Sequence, residues 1–163
     1  MKNIKRTIIV ILLVLSFECI LFASLGNSKE EITFERSSIL IKGAKVNHKF
    51  NIELALTRVQ HSYGLMYREQ LGKNEGMLFF YKKETIATMW MLNTFIPLDM
   101  IFVDSKGKII YIFQDATPFS IDKISANGLV RGVLEVNAGI VEQLGIIVGD
   151  RLIHPLFFDG DER

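Results

Sequence analysis

Large apolar residues alternate with polar or small ones along several short stretches of the chain, most regularly at 50–56, which reads FNIELAL. A period of two is typical of a strand that buries one face. Shorter apolar runs bounded by turn-forming residues predict the other strands. These strands are predicted at 32–41, 77–81, 85–92, 98–103, 108–113, 128–136 and 151–154.

Polar clusters between the runs predict two hairpins and two helices. The turns are expected at 82–84 (KKE) and 104–107 (DSKG). Thr57 and Gln60 have the spacing of a capping box, so a short helix should run from Arg58 toward Tyr63 and end at Gly64. A second short helix is expected between an Asn137 cap and Gly145, ending at Leu144.

About seven short strands joined by tight turns, with only two short helices, predict a mainly β fold. We expect a compact antiparallel β-sandwich or a partly open barrel rather than an alternating β-α-β sheet. The chain of 163 residues is long enough for one domain, and no linker divides the part from residue 27 to residue 163.

The N-terminus has the pattern of an export segment. Lys2, Lys5 and Arg6 precede an almost unbroken apolar run at 7–25. Residues 1–26 are therefore either a cleaved signal peptide or a membrane anchor, and Glu18 near the middle of the run favours cleavage. Either interpretation places residues 27–163 in the periplasm or outside the cell, with a tether to the inner membrane if the segment stays.

Charge and cysteine content narrow the possible partners. Cys19 is the single cysteine and lies in the export segment, so we expect the exported domain to have no disulfide. Without residues 1–26 the chain has 16 basic and 17 acidic residues, a net charge of minus one. A near-neutral domain gives no electrostatic reason to expect nucleic acid, and only residues 7–25 suit contact with a membrane.

Several familiar catalytic and metal-binding patterns are absent from the sequence. It has no phosphate-binding glycine loop, paired cysteines, histidine pair at helical spacing or nucleophile elbow. We therefore predict no catalytic residue, metal site or cofactor from motifs alone.

The stretch 89–103, MWMLNTFIPLDMIFV, carries constrained polar residues among apolar ones. Pro97 must interrupt the regular backbone there because it lacks an N–H donor. One hypothesis is that Arg68 and Asp99 form a buried ion pair while Asn93 and Thr94 bond the backbone around the break.

The alternative is that the same break opens a pocket beside the Trp90 ring, in which these polar groups bind a small polar ligand. Five methionines also lie in the central third of the chain, where thioethers could bind copper(I). Met89 and Met91 should point to one strand face and Trp90 to the other, so core packing is the favoured interpretation and copper a minor alternative.

The combined motifs resemble the uncharacterised family called domain of unknown function 192. The similarity runs over about 45–154 and rests on GLMYR at 64–68, EGMLFFY at 75–81, WMLNTFIPLD at 90–99, VLEVNAG at 133–139 and LGIIVGDRL at 144–152. The resemblance implies a small compact β-sandwich protein, often exported. It highlights Arg68, Trp90, Asn93, Thr94, Pro97, Asp99 and Glu135, without established roles. Leu92 departs from the family's usual Lys, which puts an anionic ligand in doubt if that Lys contacts one.

Three hypotheses about function follow. The first is an exported, non-enzymatic module that binds a small polar ligand, such as a saccharide or envelope fragment, near Trp90 to Asp99. The candidate ligand-binding residues are Arg68, Trp90, Asn93, Thr94, Asp99 and Glu135. The second is a hydrolase or transferase that uses Asp99 or Glu135 as a base. The third is a structural or partner-binding envelope protein with an exposed apolar patch.

Overall fold

A computed structural model of the chain describes residues 31–43 and 47–158. Ile32–Arg163 forms one compact unit by itself. The predicted export segment at 1–26 lies outside the described residues. Within the described ranges no helix combines the length and apolar character needed to cross a membrane.

The described residues form a mainly β fold, as predicted. Seven strands make one sheet in the order β6-β5-β8-β3-β2-β1-β9, and β4 and β7 make a separate pair. The strands are β1 Glu35–Lys42, β2 Asn47–Ala55, β3 Glu75–Thr85, β4 Thr88–Met89, β5 Leu98–Val103, β6 Ile109–Ala116, β7 Ile124–Ser125, β8 Val130–Asn137 and β9 Arg151–Ile153.

The large sheet curls into a half-barrel. At one end its two edges meet, because the Ile109 N–H donates to the Asp150 carbonyl at 2.8 Å and the Leu152 N–H donates to the Gly107 carbonyl at 2.7 Å. Gly107 permits this approach: its φ is +71°, and a Cβ there would lie 2.3 Å from the Leu152 oxygen. Of the two predicted architectures, the partly open barrel describes this sheet.

Apolar side chains cover both faces of the sheet. One core fills the concave side and includes Phe50, Ile101 and Leu134. The other covers the opposite face and includes Met77 and Met100 together with buried residues of the segment from Ala87 to Ile96. Residues that alternate along β8 therefore enter different cores, which places the side chain of Glu135 on the second face.

Two predictions about strand pairing are wrong. The polar residues 82–84 form no turn, since β3 runs through them to Thr85. Residues 85–92 are consequently not a hairpin partner of 77–81: only Thr88–Met89 is a strand, and it pairs with β7. The sheet is also not wholly antiparallel, because β2 and β3 pair in parallel.

Both short helices are present. Helix α1, Arg58–Tyr63, has the predicted Thr57–Gln60 capping box and ends at Gly64. Helix α2, Ile140–Leu144, ends at Gly145 as predicted, but its N-cap is Gly139. Asn137 is instead the last residue of β8. A single 3-10 turn, Pro155–Phe157, closes the described part of the chain.

Candidate functional site

A cleft of about 540 Å³ opens on the second face of the sheet. Helix α1 and the turn after it form one wall, and the end of β3 with the segment leading to Trp90 forms the other. Its lining residues are Arg58, His61, Ser62, Tyr63, Gly64, Leu65, Met66, Phe79, Tyr81, Lys82, Lys83, Glu84, Thr85, Ile86, Ala87, Thr88, Met89, Trp90, Thr94 and Glu135.

Glu135 is the one buried acid on this lining. In the sheet it lies between Met77 of β3 and Met100 of β5, both fully buried. Only 4% of its surface is exposed. Removal from water disfavours the charged carboxylate, so burial raises the pKa of Glu135 from 4.5 to about 8.

The Glu135 carboxyl has no hydrogen-bond partner among the described residues. Every fully enclosed polar side-chain atom in those residues does have one. The carboxyl oxygens are therefore not sealed in the core but reach the cleft, whose lining includes Glu135. Burial of a polar group without a partner is costly, which makes this carboxyl unusual among the buried polar groups.

Two ring side chains of the cleft lining, Tyr81 and His61, lie together. Burial, the larger cause, and the charge of Glu135, the smaller one, together raise the pKa of Tyr81 to about 12. The Tyr81 hydroxyl donates to the Met89 sulfur at 3.8 Å. The His61 ring contacts the Tyr81 ring edge-on with centroids 4.8 Å apart. His61 Nε2 lies 2.8 Å from the Ala55 carbonyl oxygen, which holds the ring in place.

The local sequence explains the position of the α1 wall. The Thr57 hydroxyl accepts from the Gln60 N–H at 3.2 Å, and the Gln60 side-chain oxygen accepts from the Thr57 N–H at 3.0 Å. Gly64 then lets the chain pass closely over the sheet, because a Cβ there would lie 3.0 Å from the Phe79 ring. Both features were visible in the sequence.

The mouth of the cleft is aromatic and basic. Trp90 is 42% exposed, whereas its neighbours Met89 and Met91 are buried, as the strand alternation predicted. Arg58, Lys82 and Lys83 are exposed on the rim. No ion pair within the described residues involves these three cations.

Asp99 does not reach the cleft, and the predicted Arg68–Asp99 pair is wrong. Asp99 is fully buried: its Oδ1 accepts from the Asp115 N–H at 3.0 Å and its Oδ2 from the Val141 N–H at 2.9 Å. Val141 lies in the first turn of α2, where backbone donors lack helical partners. Asp99 therefore joins β5 to the end of β6 and to α2.

Arg68 pairs instead with Glu53 of β2, and both side chains are partly exposed. Its guanidinium also lies 6.0 Å from the centre of the Phe34 ring. A separate small cavity of about 110 Å³ is lined by both members of the pair. Arg68 therefore takes no part in the main cleft.

Asn93 fixes a turn beside the cleft rather than lining it. Its side chain donates to the Tyr67 hydroxyl at 2.9 Å, and its backbone carbonyl accepts from the Tyr67 N–H at 2.9 Å. Both residues have left-handed backbones, with φ of 55° and 64°. The Tyr67 ring contacts the Phe95 ring, which in turn contacts the Phe119 ring, and all three side chains are exposed. This is an exposed apolar patch, and partner binding through it stays a prediction.

Of the six candidate residues, the structure brings three to the cleft: Trp90, Thr94 and Glu135. Thr94 is buried, and its hydroxyl donates to the Leu92 carbonyl at 3.4 Å. Sequence reasoning missed His61 and Tyr81. The available signal for Tyr81 was its place at the end of a buried strand, where a hydroxyl requires a partner.

The described residues contain no cluster of three His, Cys, Asp or Glu side chains suited to a metal ion. Met77, Met91 and Met100 are buried in the core, as the packing interpretation predicted. Met66 and Met89 line the cleft, and copper(I) binding there stays a prediction.

Comparisons with known proteins give a family and a fold. The family model DUF192, described as Uncharacterized ACR, matches residues 39–154. A crystal structure of a proposed transcription regulator from Sinorhizobium meliloti 1021 is 38% identical with a TM-score of 0.75, and the match covers 77% of this chain and 98% of that one. A protein of unknown function from Novosphingobium aromaticivorans DSM 12444 is 34% identical with a TM-score of 0.72, covering 77% and 95%. No curated protein matches the chain. Because the family model covers well over half of the chain, this protein belongs to the DUF192 family.

Proposed function

We propose that this protein is a non-enzymatic module that binds a small polar molecule in the cleft, with Glu135 as the recognition group. One observation carries the proposal: a carboxyl that is 4% exposed faces the cleft without a hydrogen-bond partner among the described residues. A ligand with hydrogen-bond donors would supply the missing partner.

The energetics of the carboxyl support a ligand over a structural role. Met77 and Met100 flank Glu135 in the sheet, so an apolar side chain would fit the same environment at lower cost. Asp99 shows how this fold satisfies a structural acid, with a backbone N–H on each oxygen. Glu135 lacks that support, which is typical of a group kept for binding.

Size and lining support a small ligand. A volume of about 540 Å³ lies within the range of small-molecule sites. The exposed ring of Trp90 offers a flat apolar surface at the mouth, and Thr94 lies nearby on the lining. A saccharide or another envelope fragment has the required mixture of hydroxyl donors and apolar ring faces.

Export is part of the same proposal. The basic and apolar pattern of residues 1–26 supports transport of residues 27–163 out of the cytoplasm. The ligand would then be a component of the envelope or its surroundings.

A ligand screen by thermal shift tests the proposal on the full chain in detergent. Monosaccharides, disaccharides and amino sugars are compared on wild type, Glu135→Gln and Trp90→Ala, with the exposed acid variant Glu69→Gln as control. A ligand at a hundred times its Kd should stabilise wild type and Glu69→Gln by about 2.7 kcal/mol and the two cleft variants by much less. Equal stabilisation of all four proteins by every ligand would exclude binding in the cleft.

One observation favours a hydrolase or transferase as the second candidate. A carboxyl with a pKa of about 8 can accept or donate a proton near neutral pH, as a general acid or base must. Asp99 does not serve this role, because both its oxygens accept backbone N–H groups. Incubation of wild type with each bound ligand, followed by mass spectrometry, distinguishes turnover from binding alone.

A further inference from the structure

Resting on the proposed function, we propose that the cleft binds an organic ammonium group, with Glu135 as its counter-ion and aromatic rings as its walls. Four features of the lining support this: the unpartnered acid, the rings around it, the thioethers and the cationic rim. The acid and the aromatic rings favour a positive group on the ligand at the floor, the thioethers add apolar surface, and the rim favours an anionic group at the mouth.

The floor holds a buried acid and lacks a cation beside it among the described residues. Glu135 is the buried acid of the lining, and no described Lys, Arg or His side chain pairs with it. A negative ligand group would keep this carboxyl protonated and could meet it only as a neutral acid, without a charge contact. An ammonium group would place a positive charge beside the carboxylate, and one that carries N–H groups would also donate the missing hydrogen bond.

The walls suit the organic part of such a cation. Tyr81 and Glu135 both line the cleft, and the charge of Glu135 contributes, after burial, to the raised pKa of Tyr81. Its hydroxyl reaches the Met89 sulfur, and Trp90 follows directly in the chain with its ring partly exposed at the mouth. Aromatic faces attract ammonium groups, and several such rings with one acid are a recurrent way to bind methylated ammonium. Thioethers add polarisable apolar surface.

The charge of the rim favours a particular charge on the part of the ligand that lies at the mouth of the cleft. Arg58, Lys82 and Lys83 have no ion pair among the described residues, and Glu84 already accepts from the Ser105 N–H at 3.2 Å. These cations repel a second ammonium and attract an anionic group. The preferred ligand is therefore a zwitterion with its ammonium inward and its anionic group at the mouth.

Titration calorimetry on the full chain at pH 7 tests the ammonium group through a matched pair of probes. Choline and its uncharged isostere 3,3-dimethylbutan-1-ol differ only in the charge. Choline should bind at least about tenfold more tightly to wild type, because it adds a cation–π contact and a Coulombic attraction to Glu135. Glu135→Gln should remove that preference, and Glu69→Gln should keep it. Equal affinity of wild type for the two probes would overturn the inference.

Proton release gives a second readout that does not depend on the variant. Choline binding at pH 7 should ionise Glu135 and release nearly one proton, measured from the heat in buffers of different ionisation enthalpy. The other titratable or charged groups on the cleft lining are Arg58, His61, Tyr63, Tyr81, Lys82, Lys83 and Glu84. Absence of proton release from wild type would contradict Glu135 as the counter-ion.

Two further arms define the ligand and separate this inference from the proposed function. Phosphocholine should bind more tightly than choline, and Lys82→Gln with Lys83→Gln should remove the gain. Glycerophosphocholine binding more tightly than phosphocholine would identify a lipid headgroup as the source, and the reverse order a free phosphate ester. Glu135-dependent binding of methyl glucoside without choline binding would overturn the ammonium inference and leave the proposed function standing. Failure of every probe and every screened saccharide would remove both.

Discussion

Replacement of Glu135 by Gln should make the protein more stable at pH 8 than the wild type. Gln keeps the shape and polarity of the side chain but cannot ionise. In the wild type, burial raises the pKa of this carboxyl from 4.5 to about 8. The folded state therefore holds a proton that the unfolded state has lost, and stability must fall as the pH rises between the two values.

The magnitude follows from that difference. At 1.36 kcal/mol for each pKa unit, the whole effect is about 5 kcal/mol. Stability attributable to Glu135 is fully present below pH 4.5 and is lost as the pH rises through 8. Between pH 5 and pH 8 the wild type should lose about 3 to 4 kcal/mol through this group, whereas Glu135→Gln should lose none through position 135.

Urea unfolding followed by Trp90 fluorescence measures this effect, since Trp90 is the single tryptophan. The free energy of unfolding is obtained for both proteins at intervals from pH 5 to pH 8. The other ionisable groups are the same in both proteins and cancel in the difference. The exposed variant Glu69→Gln should follow the wild type. Parallel pH profiles for wild type and Glu135→Gln would refute the reasoning.

Three further substitutions test the structural roles assigned to other residues, each by urea unfolding. Asp99→Asn should cost about 2 to 3 kcal/mol, because an amide nitrogen would face a backbone N–H. Choline affinity should be unchanged. A loss under about 0.5 kcal/mol, less than one net hydrogen bond contributes, would contradict the structural role of Asp99. Arg68→Gln should cost about 1 kcal/mol or less, since its pair with Glu53 is partly exposed, and a loss above about 2 kcal/mol would be inconsistent with that exposure. Gly107→Ala should destabilise the protein by more than about 1 kcal/mol, because the added Cβ would meet the Leu152 oxygen. A Cβ at Gly128 would lie 3.8 Å from its nearest neighbour, so Gly128→Ala should change the free energy of unfolding by no more than about 0.5 kcal/mol. Equal losses for the two alanine variants would argue against the close approach at Gly107.

The elements predicted correctly are those with local causes. The capping box before α1 satisfies backbone donors within three residues, and Pro97 and the turn at 104–107 delimit β5 on both sides. The pairing of β3 was missed because Lys82, Lys83 and Glu84 are polar for a different reason. They form the exposed end of a long strand, at the rim of the cleft, and a polar strand end resembles a turn in sequence.

Contacts between residues far apart in the chain could not be predicted from the sequence pattern. Asp99 was predicted as the partner of Arg68 because both are polar residues among apolar ones, but Glu53 of β2 is the acid that lies beside Arg68. The parallel pairing of β2 with β3 has no local signal. The importance of Glu135 had one trace, a single acid inside the apolar run of β8, which the family resemblance highlighted without explaining.

A carbon-13 NMR titration of the Glu135 carboxyl tests the central claim most directly, with the resonance assigned through Glu135→Gln. The account predicts a midpoint near pH 8 in the free protein and a fall of that midpoint below 7 when saturating choline is present. A midpoint near 4.5 in the free protein would show that the carboxyl is not both buried and without a partner. An unchanged midpoint with bound choline would show that the ligand does not contact it.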